Sequence, residues 1–235
     1  MPRKRKASLP SSEPSTTPLQ SLVPIESSTK PPSTSTSKQN PFKPYPASKV
    51  YRLIEPGPTL LVSTGSLADK THNLMTLGFH MMLQHSSPAL LNICLGPWDT
   101  SFALLSQTGS CVLAIPDTTL AEFVVDIGNC SGDEVDKWTK FGFEALPAAK
   151  VEAPLVGGNG VIANIECVVH DRAMVEKYNL WVLKAVRAWV CDGFEGRDGV
   201  GAMRMLHHRG DGSFVVDGTV LDLRGRMVKW REFQD

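Results

Sequence analysis

The chain has 235 residues, 42% hydrophobic and 20% charged, with 24 Lys plus Arg balanced by 24 Asp plus Glu. This is the composition of an ordinary soluble domain long enough to bury a core, and its neutral balance gives no argument for nucleic acid or membrane as the main partner. The balance hides an asymmetry: eight basic residues but only two acidic ones precede residue 50, so the N-terminal stretch is basic and the body mildly acidic.

Residues 1–46 are crowded with Ser, Thr, Pro and Lys and hold few apolar residues (Leu9, Leu22, Val23, Ile25). Such a segment buries too little surface to offset its ordering entropy, so the sequence predicts a disordered tail through 46 and a folded domain over 47–235. Deleting the tail is expected to leave folding unchanged. Its first residues, Met1-Pro2-Arg3-Lys4-Arg5-Lys6, read either as a cluster for a polyanion or import receptor, which would give a nuclear location, or as a solvated charged terminus. The cysteines Cys94, Cys111, Cys130, Cys167 and Cys191 are far apart and form no CxxC pair. They suit a reducing compartment such as the cytoplasm rather than a disulfide framework or zinc site. No secretory h-region follows the charged start and no run of about eighteen apolar residues occurs, so no membrane association is expected.

From Val50 short apolar runs separated by turn signals predict strands at 59–64, 74–83, 89–95 and 111–115. Thr119 followed by Glu122 reads as a capping box opening a helix that aligns Leu120, Phe123, Val124 and Ile127 before Gly128. A second helix starts near Asp133 and spaces Val135, Trp138 and Phe141 ahead of Gly142. Gly157-Gly158-Asn159-Gly160 reads as a turn. Beyond it, Ala163, Ile165, Cys167 and Val169 alternate with Asn164, Glu166 and His170 in a strand over 162–170, and 180–190 forms a strand nearly apolar on both faces, suited to a barrel wall. The strongest hairpin signal joins 214–216 to 219–223 through Asp217-Gly218. Many strands, few short helices and no βαβ alternation point to a mainly β, barrel-like fold.

The motifs GxSxG, HExxH and GxxxxGK[ST] are missing, and neither His207-His208 nor His80 with His85 has supporting metal-ligand spacing. The informative stretch runs Thr71-His72-Asn73-Leu74-Met75-Thr76-Leu77-Gly78-Phe79-His80, then Ser87 to Ile93, then Trp98-Asp99-Thr100-Ser101. Its Asn and Thr side chains offer a neutral hydrogen-bonding strip, and Thr100-Ser101 can cap a helix whose N-terminus attracts phosphate; a strand, loop and cap of purely structural purpose fits as well.

The series Asn73-Leu74-Met75-Thr76, Pro88 before a strand, a Thr-Ser helix start, Cys130-Ser131-Gly132, Asp136-Lys137-Trp138, Ala153-Pro154-Leu155 and Ile165-Glu166-Cys167 resembles the flavin reductase-like, FMN-binding split-barrel family over about 50–190. The resemblance implies a Greek-key split β-barrel with short helices, a homodimer, and FMN near the subunit interface. By it, Asn73, Leu74, Met75 and Thr76 line the flavin ring edge through backbone groups, and Thr100 and Ser101 contact the phosphate. Lys137 is either a second anion contact or a surface helix lysine. Two departures stand out: Leu113-Ala114-Ile115-Pro116 lacks the family's Asn, and Phe79-His80 replaces a Trp-containing step. The function implied is an oxidoreductase in which FMN takes hydride from NAD(P)H and passes electrons to flavin, oxygen or another acceptor. The alternatives are a flavin-binding or interaction module without turnover, or a barrel that has lost flavin, as the Ala114 departure suggests.

Overall fold

A computed structural model describes residues 40–50, 57–194, 203–209, 212–219, 221 and 223. The basic cluster at residues 3–6 and most of the expected tail lie outside these residues.

Strands β1 (Phe42–Tyr45), β2 (Leu60–Thr64), β3 (Asn73–Leu77), β4 (His80–Gln84), β5 (Leu90–Cys94), β6 (Ser110–Pro116), β9 (Val161–Asp171) and β10 (Leu180–Cys191) form one eight-stranded sheet, ordered β3-β2-β6-β9-β10-β5-β4 with β1 also on β10. Every pairing is antiparallel. The expected single strand over 74–83 is two, broken at Gly78-Phe79, and its halves end at opposite edges of the sheet. That break is what splits the barrel: β3 turns its free edge away from β2, and β4 joins β5. The expected tail is also too long. Its residues Phe42–Tyr45 pair with Ala188–Cys191, on the same side of β10 that pairs with β5 through Leu180–Lys184. A twelve-residue strand outruns its five-residue neighbour, and β1 covers the remainder.

Both faces of the central strands are buried, which is why they read as continuous apolar runs. On β2 and β6, Leu60, Val62, Cys111, Leu113 and Ile115 enter an inner core with Leu91, Ile165 and Trp181. Leu61, Val112 and Ala114 enter a second core beneath the helices, with Leu74, Val124, Ile127, Trp138 and Leu155. Of the polar half of β9, only His170 is therefore solvated. Asn164 and Glu166 are fully buried. Asn164 exchanges two hydrogen bonds with the backbone of Val156, on β8 (Leu155–Gly157). Glu166 accepts from the amides of Ala149 and Lys150 and from the Trp189 indole at 2.6 Å, which satisfies the buried carboxylate. Short strand β7 (Glu144–Leu146) pairs with β8, and the Gly-rich segment after it turns into β9 with positive φ at Gly158 and Gly160.

Four helices are described: α1 (Thr100–Thr108), α2 (Ala121–Gly128), α3 (Lys137–Phe141) and α4 (Val175–Tyr178). Thr119 does not cap α2. Asp117 accepts from the Thr119 amide and opens a 3-10 turn at Thr118–Leu120, from which α2 continues. The Thr119 hydroxyl is itself turned to that carboxylate, to which it donates. Helix α3 starts later than Asp133, at the carboxylate of Asp136, which accepts from the Trp138 and Thr139 amides; Gly142 at φ 69 ends it. The second strand of the hairpin expected through Asp217-Gly218, over 219–223, lies partly outside the described residues. Phe214–Val216 (β12) pairs with Leu206–His208 (β11), and Asp217 turns back to accept from the Met205 amide and to meet His207 Nε2 at 2.8 Å. This local hairpin is anchored to the sheet by Thr59, whose amide donates to the Leu206 carbonyl.

Candidate functional site

The free edge of β3, the start of α1, residues 127–132 at and beyond the end of α2, and Lys137 of α3 enclose a pocket of about 290 Å³. Of the seven residues singled out from sequence, it is lined by Asn73, Met75, Thr76, Thr100, Ser101 and Lys137. Leu74 is the exception: strand alternation turns its side chain into the second core, so it offers only backbone. Because β3 pairs only with β2, its other edge keeps backbone groups that no strand uses.

The polar residues are held in a network. Ser101, fully buried, accepts from Thr64 Oγ1 and from Asn73 Nδ2, both at 3.0 Å, and so positions Asn73. A Cβ at Gly132 would run into Asn73 Oδ1, so that glycine lets the 127–132 loop close on β3. Thr76 donates its hydroxyl to the Val124 carbonyl at 2.5 Å, fastening β3 to α2. Helix α1 begins at Thr100, with Asp99 as N-cap. The Asp99 carboxylate accepts from the Gly96 amide at 2.9 Å and caps no helix amide. The first-turn amides of α1 therefore have no side-chain partner, an arrangement that favours an anion.

Lys137 is 4% exposed, which excludes its reading as a surface helix lysine. Its Nζ donates to the Ile127 carbonyl at 3.0 Å, and no described carboxylate lies within 4.0 Å of it. Burial holds its pKa below the ordinary lysine value, with Cys130 and Asp99 partly opposing. A buried ammonium with one neutral acceptor is a site that a negative group would complete.

The Ala114 departure leaves this pocket intact, because Ala114 lies in the second core and not on the lining. Phe79 stands exposed beyond the pocket's end. Residues 127–129, Trp98 and Asp99 also line the pocket without having been chosen from sequence. Only the order of the Trp-Asp-Thr-Ser and Cys-Ser-Gly segments hinted at them, since the contact forms across the fold. Among the described residues, no group of three or more His, Cys, Asp or Glu could hold a metal, and no helix is long and apolar enough to cross a membrane.

Comparison with known proteins agrees with this architecture. The chain is 24% identical over 185 residues to the uncharacterized Escherichia coli K12 protein YddH, covering 75% of this chain and 95% of that one. It superposes on an FMN-binding domain of a flavin reductases-like enzyme from Shewanella baltica with TM-score 0.69 at 24% identity, covering 77% of this chain and 96% of that one. With the NADH:FAD oxidoreductase SgcE6 of Streptomyces globisporus the TM-score is 0.55 at 16% identity, over 69% and 86% of the two chains. These likenesses establish the split-barrel fold, and the family model for the flavin reductase like domain matches residues 51–213. The chain belongs to the flavin reductase-like domain family.

Proposed function

We propose that this chain binds FMN in the β3–α1–α3 pocket and is an NAD(P)H-dependent oxidoreductase. The observation that carries the reading is Lys137, a buried ammonium with no described carboxylate within 4.0 Å, lining the same pocket as the uncapped start of α1. The donor set fits the group. Lys137 and the Thr100 and Ser101 amides would hold the phosphate, and the free backbone edge of Asn73–Thr76 would hold the polar rim of the ring. The likeness to an FMN-binding domain and to an NADH:FAD oxidoreductase supports the same assignment.

When bound, FMN supplies hydride acceptance, so the protein needs no side-chain acid or base for that step. The chain's contribution is positional. Ser101 keeps Asn73 in place, Thr76 pins β3 against α2, and the backbone donors of β3 are preorganised toward negative charge. The acceptor beyond the flavin is a flavin, oxygen or another oxidant.

The reading extends to a homodimer formed at the β4–β5 face. Met81 and Leu83 on edge strand β4 are 57% and 47% exposed. Asn92, opposite Met81 in register, has a buried Oδ1 without a partner. An apolar edge beside an unsatisfied buried oxygen is a surface that a second copy would complete.

The test is FMN titration of folded wild type and Lys137→Met by fluorescence quenching. Loss of the charge-assisted contact is expected to cost about 1–3 kcal/mol, roughly five- to a hundredfold in Kd. Equal affinity in both proteins would remove Lys137 from the site, and a parent protein that binds no FMN would overturn the whole assignment. Oxidation of NADH or NADPH by the FMN-loaded protein, followed at 340 nm, separates an oxidoreductase (roughly 340 nm absorbance falls) from a flavin-binding module without turnover.

A further inference from the structure

A second cavity, of about 380 Å³, adjoins the flavin pocket and shares Met75, Thr76, Trp98 and Asp99 with it. It sits at the break between β3 and β4, where Gly78-Phe79 leaves the sheet. Three aromatic rings from separate parts of the chain stand at it: Phe79 from the β3–β4 corner, Trp98 from the turn before α1, and Tyr178 from the end of α4. They are 78%, 77% and 51% exposed. Large aromatic side chains left this open cost hydration free energy that burial against a ligand recovers. Their placement is specified rather than incidental. A Cβ at Gly96 would overlap the Trp98 indole, so glycine there lets the ring fold back over the turn. Asn179, at φ 56, ends α4 and sends the chain directly into β10 just after Tyr178.

The charges around the cavity narrow the ligand. Its lining contains no Lys or Arg, and its one acid, Asp99, already accepts from the Gly96 amide. Lys177 stacks on the Tyr178 ring at 5.0 Å but is not part of the lining. A phosphate-bearing ligand would meet no cation here, in contrast to the neighbouring pocket with Lys137. Flat conjugated rings match the exposed faces of Phe79, Trp98 and Tyr178 by stacking or edge contact. We propose that the cavity of Phe79, Trp98 and Tyr178 is a subsite for a small, uncharged, planar conjugated compound of the quinone class, held beside the flavin pocket. The position beside the flavin rests on the FMN reading above; the ring-binding subsite itself does not.

Menadione is the probe, titrated calorimetrically into the FMN-loaded protein and into the flavin-free protein, with FMN affinity measured on the same preparations. Phe79→Ala and Tyr178→Ala change side chains outside the flavin pocket. Each is expected to weaken menadione binding roughly five- to tenfold while FMN affinity stays at the wild-type value. Tyr178→Phe, which keeps the ring, is expected to retain binding. Menadione binding that is absent, or equal in wild type and both alanine variants, would overturn the subsite. So would a cavity that takes the redox-inert tetrahydro analogue of NADH with the same variant sensitivity but not menadione, since the ring recognised would then belong to the nucleotide. If FMN does not bind but menadione does, with loss in the variants, the flavin reading fails and the subsite stands.

Discussion

Lys137 shows how one side chain changes meaning between sequence and structure. In sequence it is a lysine on a short amphipathic helix; in the fold it is a buried cation between a carbonyl and an anion-attracting helix start. Its lowered pKa gives a signed pH prediction. Without ligand, the unfolded chain holds the proton more tightly than the folded one, so stability rises as pH climbs through the interval between the depressed folded value and the ordinary 10.5. A bound phosphate would favour the charged form and shrink that rise. Denaturant midpoints across alkaline pH, with and without FMN, are expected to show the slope in the free protein, its reduction by FMN, and its absence in Lys137→Met. An FMN-independent slope would separate the lysine from the anion. Ser101 changes in a different way: its Oγ accepts from Thr64 and Asn73, which fixes it in the network and leaves its O–H as a donor at the pocket.

At the level of elements, two short segments carry more than their length suggests. Strand β1 lies in a stretch whose composition reads as tail, yet Phe42 is buried in the second core and pairs with Cys191. Phe42→Ala is expected to lower stability by about 3–5 kcal/mol, read from urea midpoints. Deletion through residue 46 removes the whole strand and is expected to be at least as damaging; unchanged stability in either protein would show that β1 contributes nothing. Helix α3, five residues long, depends on its cap. The Asp136 carboxyl is held below its ordinary value first by the Thr139 hydroxyl, then by the Thr139 and Trp138 amides. Its stabilising contribution is therefore present above the ordinary value of 3.8 and is lost as pH falls through the lower folded value. Asp136→Ala is expected to cost about 1 kcal/mol at neutral pH and to weaken FMN binding by displacing the next residue, Lys137. Wild-type FMN affinity in this variant would uncouple the cap from the site.

At the largest scale, the described domain is built on a sheet that curls far enough to enclose an inner core but leaves β3 and β4 as separate edges, and each edge has its own consequence. The β3 edge faces the pocket. The β4 edge, with Met81 and Leu83 exposed, faces outward and carries the dimer proposal. If FMN binds only the folded dimer, mass action makes the dimer more stable as FMN rises. Light scattering and melting temperature over an FMN series are expected to show a dimer whose Tm climbs with ligand, and Met81→Lys with Leu83→Lys is expected to give monomers. A wild-type monomer with and without FMN would refute this interface.

Several features of this protein are legible in its residues alone. The β-rich class follows from short apolar runs between turn signals, and the C-terminal end of α3 from Gly142, because these depend on local chemistry. The ordered motifs named the family, and six of the seven residues they singled out line the pocket, because a strand edge and a helix start are each contiguous in sequence. What tertiary structure decided was partnership across distance. Asn164 and Glu166 alternate as solvent-facing residues would, yet a second layer covers them and supplies their donors. Phe79, Trp98 and Tyr178 are separated by up to a hundred residues and meet only because the sheet splits at Gly78. Local signals specify where strands and helices begin and end; which edges stay open, and what gathers at them, depends on burial and pairing that no single window of sequence contains.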